Sequence, residues 1–142
     1  MKTIIHVVDI GAPRDKVYTA LTQQDALSSW WTKKVSVEGD EVQFMFVPDI
    51  FNPRMKVTQK AEAQTVHWRC IGGVENWKDN TFSFDLQGSN GSTRLKFVQN
   101  YAQELDDDVY GVYNFNWAYY LDSLRQYLET GTGKPFTGEP NA

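Results

Sequence analysis

Only one long stretch of this chain keeps the three-and-four-residue apolar spacing of an α-helix, and it comes near the end. Its stripe is Tyr110, Tyr113, Trp117, Tyr120, Leu121, Leu124 and Leu128, within Val109 to Leu128. Between residues 35 and 100 the apolar residues alternate with polar ones, the pattern of short strands with one face in water. Val42, Phe44 and Phe46 alternate with Glu41, Gln43 and Met45, and Met55 and Val57 with Arg54, Lys56 and Thr58. Val66, Trp68 and Cys70 alternate with His67 and Arg69, Phe82, Phe84 and Leu86 with Ser83 and Asp85, and Leu95 and Phe97 with Arg94 and Lys96. A single long helix behind such strands has one place to bury its stripe, across the dry face of their sheet.

The rest of the chain completes the layout. Residues 3 to 10 are rich in Ile and Val and stop at Gly11, as a strand followed by a break. Pro13 opens a short helix to residue 22 with Val17, Ala20 and Leu21 on its apolar face, and a second short helix runs from about Asp25 to Trp30. Asn90-Gly91 is a tight hairpin turn; the Asn-x-Ser pattern there also fits a glycosylation acceptor, but nothing marks the chain as secreted. Gly131, Gly133, Pro135, Gly138 and Pro140 end the long helix and leave residues 131–142 as a flexible or loosely packed tail. The expected fold is α+β: a curved antiparallel sheet of six to seven strands wrapped around one long C-terminal helix, with two short helices after the first strand. A single domain spans 1–142.

Charge and cysteine content narrow the functional classes. Fourteen Lys and Arg against eighteen Asp and Glu give a net charge of −4 with the cations scattered, so no concentrated basic face exists to neutralise nucleic-acid phosphates. The lone cysteine, Cys70, excludes an intrachain disulfide, and no Cys/His set has metal spacing. Asp9 interrupts the first apolar run too early for a signal peptide, and no run reaches the roughly 18–20 apolar residues of a membrane span. The sequence therefore reads as a cytoplasmic protein without metal or cofactor.

Ala12-Pro13, Val17 to Thr22, Trp30-Trp31-Thr32 and the closing Tyr120 to Gly131 resemble the activator of heat-shock-protein-ninety ATPase-like branch of the helix-grip superfamily. That superfamily includes the birch-pollen allergen and the START domains. The resemblance runs over nearly the whole chain and implies the fold. Its members span lipid carriers, polyketide cyclases and co-chaperone domains, so it leaves activity open.

An aromatic stripe facing a sheet either packs as core or roofs a cavity, since Tyr and Trp are bulky bodies with polar tips that want partners. The candidate wall is Phe44, Phe46, Met55, Val57, Trp68, Phe82, Phe84, Phe97, Tyr113, Trp117 and Tyr120. The resemblance favours the cavity. Ile50 and Phe51, centred in a loop bracketed by Pro48 and Pro53, form a mobile lip at its mouth, touch a partner protein, or fold back onto the body. Trp77, after Gly72-Gly73, is either a lid or ordinary packing. Asp106, Asp107 and Asp108 lack the ligand spacing and glycine of a calcium loop and read as a helix cap. No catalytic set can be assembled: His67 faces outward with Arg69, and His6 is open to either face. On the back of the helix Val112, Phe115 and Tyr119 mark either a dimer contact or a surface covered by the tail through Phe136.

Three functions follow in order. The first is binding of a small apolar molecule between sheet and helix. The second is a protein-interaction module with a chaperone partner, as the resemblance implies, and the third a polyketide-cyclase-like enzyme, which would need a polar pair such as Tyr113 with Tyr120 or Gln43 inside the cavity.

Overall fold

The alternation read from the sequence reappears as burial in the computed structural model, which describes residues 2–138. The elements are β1 (Thr3–Ile10), α1 (Arg14–Thr22), α2 (Gln24–Leu27), β2 (Lys34–Glu38), β3 (Glu41–Met45), β4 (Arg54–Ala61), β5 (Thr65–Gly72), β6 (Thr81–Ser89), β7 (Ser92–Asn100) and α3 (Asp107–Thr130), with a 3-10 turn at Glu75–Trp77. The strands form one sheet in the order β1-β7-β6-β5-β4-β3-β2, each neighbour antiparallel. This is the α+β helix-grip arrangement.

Cross-strand pairing carries the inward side chains in rows. Trp68 faces Phe82 and Phe82 faces Gln99, while Val66 faces Phe84 and Phe84 faces Phe97, with His6 beyond it on β1. Phe44, Phe82, Phe84 and Phe97 are fully buried, each contributing about 1.5–3 kcal/mol by leaving water. Register shifts in β4 against β5 add local twist and help the sheet curl. The β6–β7 turn has Asn90 and Gly91 at φ 53° and 80°, with Ser89 opposite Ser92, as a tight hairpin of this dipeptide requires.

Helix α3 begins where the aspartates predict. Asp106 is the N-cap, its carboxylate accepting from the N–H groups of Asp108 (3.1 Å) and Val109 (3.3 Å). Asp107 pairs with Lys2 at 2.6 Å. At the other end Gly131 takes the left-handed conformation, φ 87°, and its N–H reaches the Tyr127 carbonyl at 2.8 Å. Pro13 occupies the N-cap of α1, one residue ahead of the expected first helical position.

The tail departs from the loose packing expected of it. Over residues 131–138 the chain turns back and is tied down: the Lys134 N–H donates to Ser123 Oγ (2.6 Å), the Phe136 N–H to the Trp31 carbonyl (2.9 Å) and the Lys33 N–H to the Phe136 carbonyl (3.0 Å). Glycine and proline forbid regular structure here, but irregular backbone can still find hydrogen-bond partners. The tail's last residues, 139–142, lie outside the described ones. Lys134 covers Tyr119, its Nζ 4.5 Å from the ring centre, while Val112 and Phe115 stay 58% and 72% exposed.

Candidate functional site

Four residues of α3, spaced as one helix face, look onto a gap that the sheet and loops do not fill: Tyr113, Asn116, Trp117 and Tyr120. The gap is a cleft of about 290 Å³ lined in addition by Trp31, Phe46, Val47, Phe51, Trp77 and Phe136. Apart from Val47 and Asn116, every lining side chain is aromatic, and none is charged. The rings form a continuous wall. Trp31 lies 5.0 Å from Trp117 and 5.2 Å from Phe46, Phe46 lies 5.2 Å from Phe51, and Phe51 lies 4.9 Å from Trp77.

Local hydrogen bonding explains how the loops present these rings. In the loop after β3, Asn52 accepts the Phe46 N–H at its Oδ1 (2.9 Å), donates from Nδ2 to the Val47 carbonyl (2.8 Å), and gives its backbone N–H to the Gly73 carbonyl (3.0 Å). Gly73 sits at φ 84°, and a Cβ there would lie 1.7 Å from the Asn52 carbonyl oxygen, so only glycine lets the two loops meet. The expected lip is thereby divided. Phe51 folds onto the body, and Ile50 projects outward, 71% exposed.

The polar tips of Trp117, Trp77 and Tyr113 are bonded to residues outside the cleft lining. Trp117 Nε1 donates to Gln99 Oε1 (2.8 Å), Trp77 Nε1 to Tyr101 Oη (3.2 Å), and Tyr113 Oη to Asn76 Oδ1 (3.0 Å). Trp77 is therefore a buried wall rather than a lid. Burial pushes the phenol pKa values of Tyr113 and Tyr120 up, against which Asn76 pulls Tyr113 back. Both stay protonated at neutral pH and are hydroxyls rather than bases. Among the described residues Tyr120 and Asn116 make no side-chain hydrogen bond, which leaves two polar groups at the cleft for an occupant.

Of the expected cavity wall, Phe46, Tyr113, Trp117 and Tyr120 line the cleft together with Phe51 and Trp77. Phe44, Met55, Trp68, Phe82, Phe84 and Phe97 do not. They are packed core behind it, because the inward rows of β3 to β7 interdigitate with one another and with Trp31 and Trp117 before any space is left. Val57 lies apart, in a small recess of about 200 Å³ with Tyr18, Val42 and Lys60. Trp31, Val47, Asn116 and Phe136 were absent from the expected wall. For Asn116 a signal existed, since it falls three residues after Tyr113 and four before Tyr120; Phe136 had none for the cleft.

The remaining reactive residues lie elsewhere. Cys70 is buried, and burial raises its thiol pKa away from the nucleophilic thiolate. His67 faces outward, 3.4 Å from Asp85, and His6 faces inward opposite Phe97. Among the described residues no group of three or more metal-ligating side chains converges, and no helix is long and apolar enough to cross a membrane.

The profile of the family described as Activator of Hsp90 ATPase homolog 1-like protein matches residues 11–129. The chain belongs to that family. Within the wider set of Hsp90 ATPase activator-like folds, the Aha1 dimer from Colwellia psychrerythraea is 33% identical, with 94% of this chain and 100% of that one covered at a TM-score of 0.82. Protein MLL2253 from Mesorhizobium loti is 18% identical over 90% of this chain and 97% of its own, at a TM-score of 0.75. DynU16, from the dynemicin biosynthetic locus, is 20% identical and covers 94% of this chain and 49% of itself, also at 0.75. At such identities the last two show likeness of fold alone. No curated protein sequence matches significantly. The family match stops at residue 129, before the segment that carries Phe136.

Proposed function

We propose that this protein binds a small, mostly apolar molecule in the cleft beneath α3, as a cytoplasmic binding protein. The observation that carries the reading is the aromatic wall around about 290 Å³, in which the tips of Trp117, Trp77 and Tyr113 are bonded to residues outside the lining and the surface is mostly carbon. That volume stands at the lower edge of the ~300–1,000 Å³ of small-ligand pockets, and apolar walls with a few polar groups are their usual lining. Tyr120 and Asn116 supply the orienting groups. Native mass spectrometry of the protein as purified, followed by titration with anilinonaphthalene sulfonate, tests it. Retained mass or saturable fluorescence at one site per chain is expected, and the absence of both refutes the reading.

A chaperone-directed interaction module is the second reading, supported by the family description and by the exposed apolar residues Met45, Val47 and Ile50 beside the cleft. Stimulation of an Hsp90 ATPase by the wild-type protein and its loss in Ile50→Asp would favour it over the first. The Colwellia relative is a dimer, and Val112 with Phe115 offers a face for self-association; light scattering across concentration tests that.

A further inference from the structure

The wall of the cleft is fixed on three sides by the sheet, α3 and the loops, but its fourth side is a short irregular strap. Phe136, half-buried, lies 5.5 Å from Phe46 and lines the same space as Tyr120 and Trp31. Its backbone makes a single isolated bridge to Thr32, through the Phe136 N–H to Trp31 and the Lys33 N–H to Phe136. Behind it the strap hangs on the Lys134 N–H to Ser123 Oγ and on Lys134 Nζ, 3.5 Å from Asp122. Gly133 threads against the Ser29 carbonyl, where a Cβ would come within 2.4 Å. Tyr113, Asn116, Trp117 and Tyr120 belong to α3 and Phe51 to a loop stapled through Asn52, whereas the strap belongs to no helix and no named strand.

We propose that residues 133–138 form a movable strap and that Phe136 is the residue that sets the size of the ligand. The inference rests on the ligand-binding reading above. With the strap seated, the Phe136 ring takes up part of the space between Phe46, Tyr120 and Trp31, and the cleft is held to about 290 Å³. Lifting the strap breaks the Thr32 bridge and withdraws that ring. The cleft then extends toward Trp31 without disturbing α3 or the sheet. Small ligands bind under the strap and hold it closed; larger ones displace Phe136 and hold it open. What marks the strap for local opening is its irregular backbone, joined to the sheet side by one isolated bridge, with Phe136 as its apolar side chain in the cleft.

Two measurements on the full chain test this. Amide exchange by NMR comes first: the Phe136 and Lys33 N–H groups exchange at least about a hundredfold faster than those of Leu121 and Leu124 in α3, as local opening requires. Exchange of all four together overturns the strap, whatever the cleft binds. Titration of wild type, Phe136→Ala and Phe136→Leu with indole and with anilinonaphthalene sulfonate comes second. Phe136→Ala is expected to bind the sulfonate at least about tenfold tighter, equivalent to about 1.4 kcal/mol, with Phe136→Leu in between and indole nearly unchanged. Equal sulfonate affinities in all three proteins overturn the role of Phe136 and leave the cleft reading standing. Failure of both compounds on every variant overturns the cleft reading and this one with it.

Discussion

The two halves of α3 face the same sheet and do opposite things. From Leu121 onward the stripe is Leu121, Leu124 and Leu128 with the buried Ser123 between, and it closes against the body with Val17, Leu21 and Leu27 in the same core. From Tyr110 to Tyr120 the stripe is aromatic; only Trp117 is fully buried, and the cleft opens there. The rings of Phe44, Trp68, Phe82, Phe84 and Phe97 also pack without a gap, so the opening beside Tyr113, Asn116 and Tyr120 arises where the sheet side and the loops stop short of the helix. The same helix supplies both the clamp and the roof of the cleft.

That contrast can be broken from either side. Leu124→Ala should show the largest effect, a loss of about 2–5 kcal/mol in urea unfolding with sulfonate affinity unchanged, because it empties a filled site in the closed half. Equal loss of binding would mean that the halves are not independent. Gly73→Ala comes next. It forces apart the loops that set Phe51 and Trp77, for about 1–3 kcal/mol, and here binding should fall with stability. Asn116→Trp plugs the open half from an exposed helix position; stability should stay within about 0.5 kcal/mol while sulfonate binding drops at least about tenfold. A variant that binds as before would place the ligand somewhere else.

The smallest effect concerns the join between helix and strap. Arg125 hydrogen-bonds the Asp122 carboxylate and holds its pKa below the ordinary value, with Gln126 and Lys134 assisting. The folded state thus favours the ionised form. The stabilisation is complete above about pH 4, the unfolded value, and disappears as pH falls through the lowered native one. Because both side chains are more than a third exposed, the pair's worth is under about 1 kcal/mol. Acid titration followed at the Lys134 and Phe136 amides should show the strap loosening before α3, and Asp122→Asn should remove that step.

Period and polarity made most of the fold legible. Alternation placed the inward rows of β3 to β7, Asp106 and Gly131 bounded α3, and Asn90-Gly91 set the last hairpin. The cleft was half legible, for a clear reason. A sequence tells which face a side chain occupies, and Phe44, Trp68 and Phe97 do face inward as Phe46 and Trp117 do. Whether an inward residue meets another ring or an opening depends on how far the sheet curls, which periodicity does not record. Phe136 is the extreme case: it lies outside any repeating pattern, and its place follows from Ser123 and Trp31, distant in sequence, offering hydrogen bonds to the strap.

One consequence of the ring packing is optical. All five tryptophans of the chain are linked face to face through neighbours: Trp30 to Trp31, Trp31 to Trp68 and Trp117, and Trp117 to Trp77, at centroid distances of 5.0 to 6.2 Å. Chromophores that close share excitation, so the set absorbs and emits as a coupled array. Three of its members, Trp31, Trp77 and Trp117, border the cleft. Under the proposed ligand binding, an occupant would touch the array directly, and tryptophan fluorescence and near-ultraviolet dichroism would report it without any label.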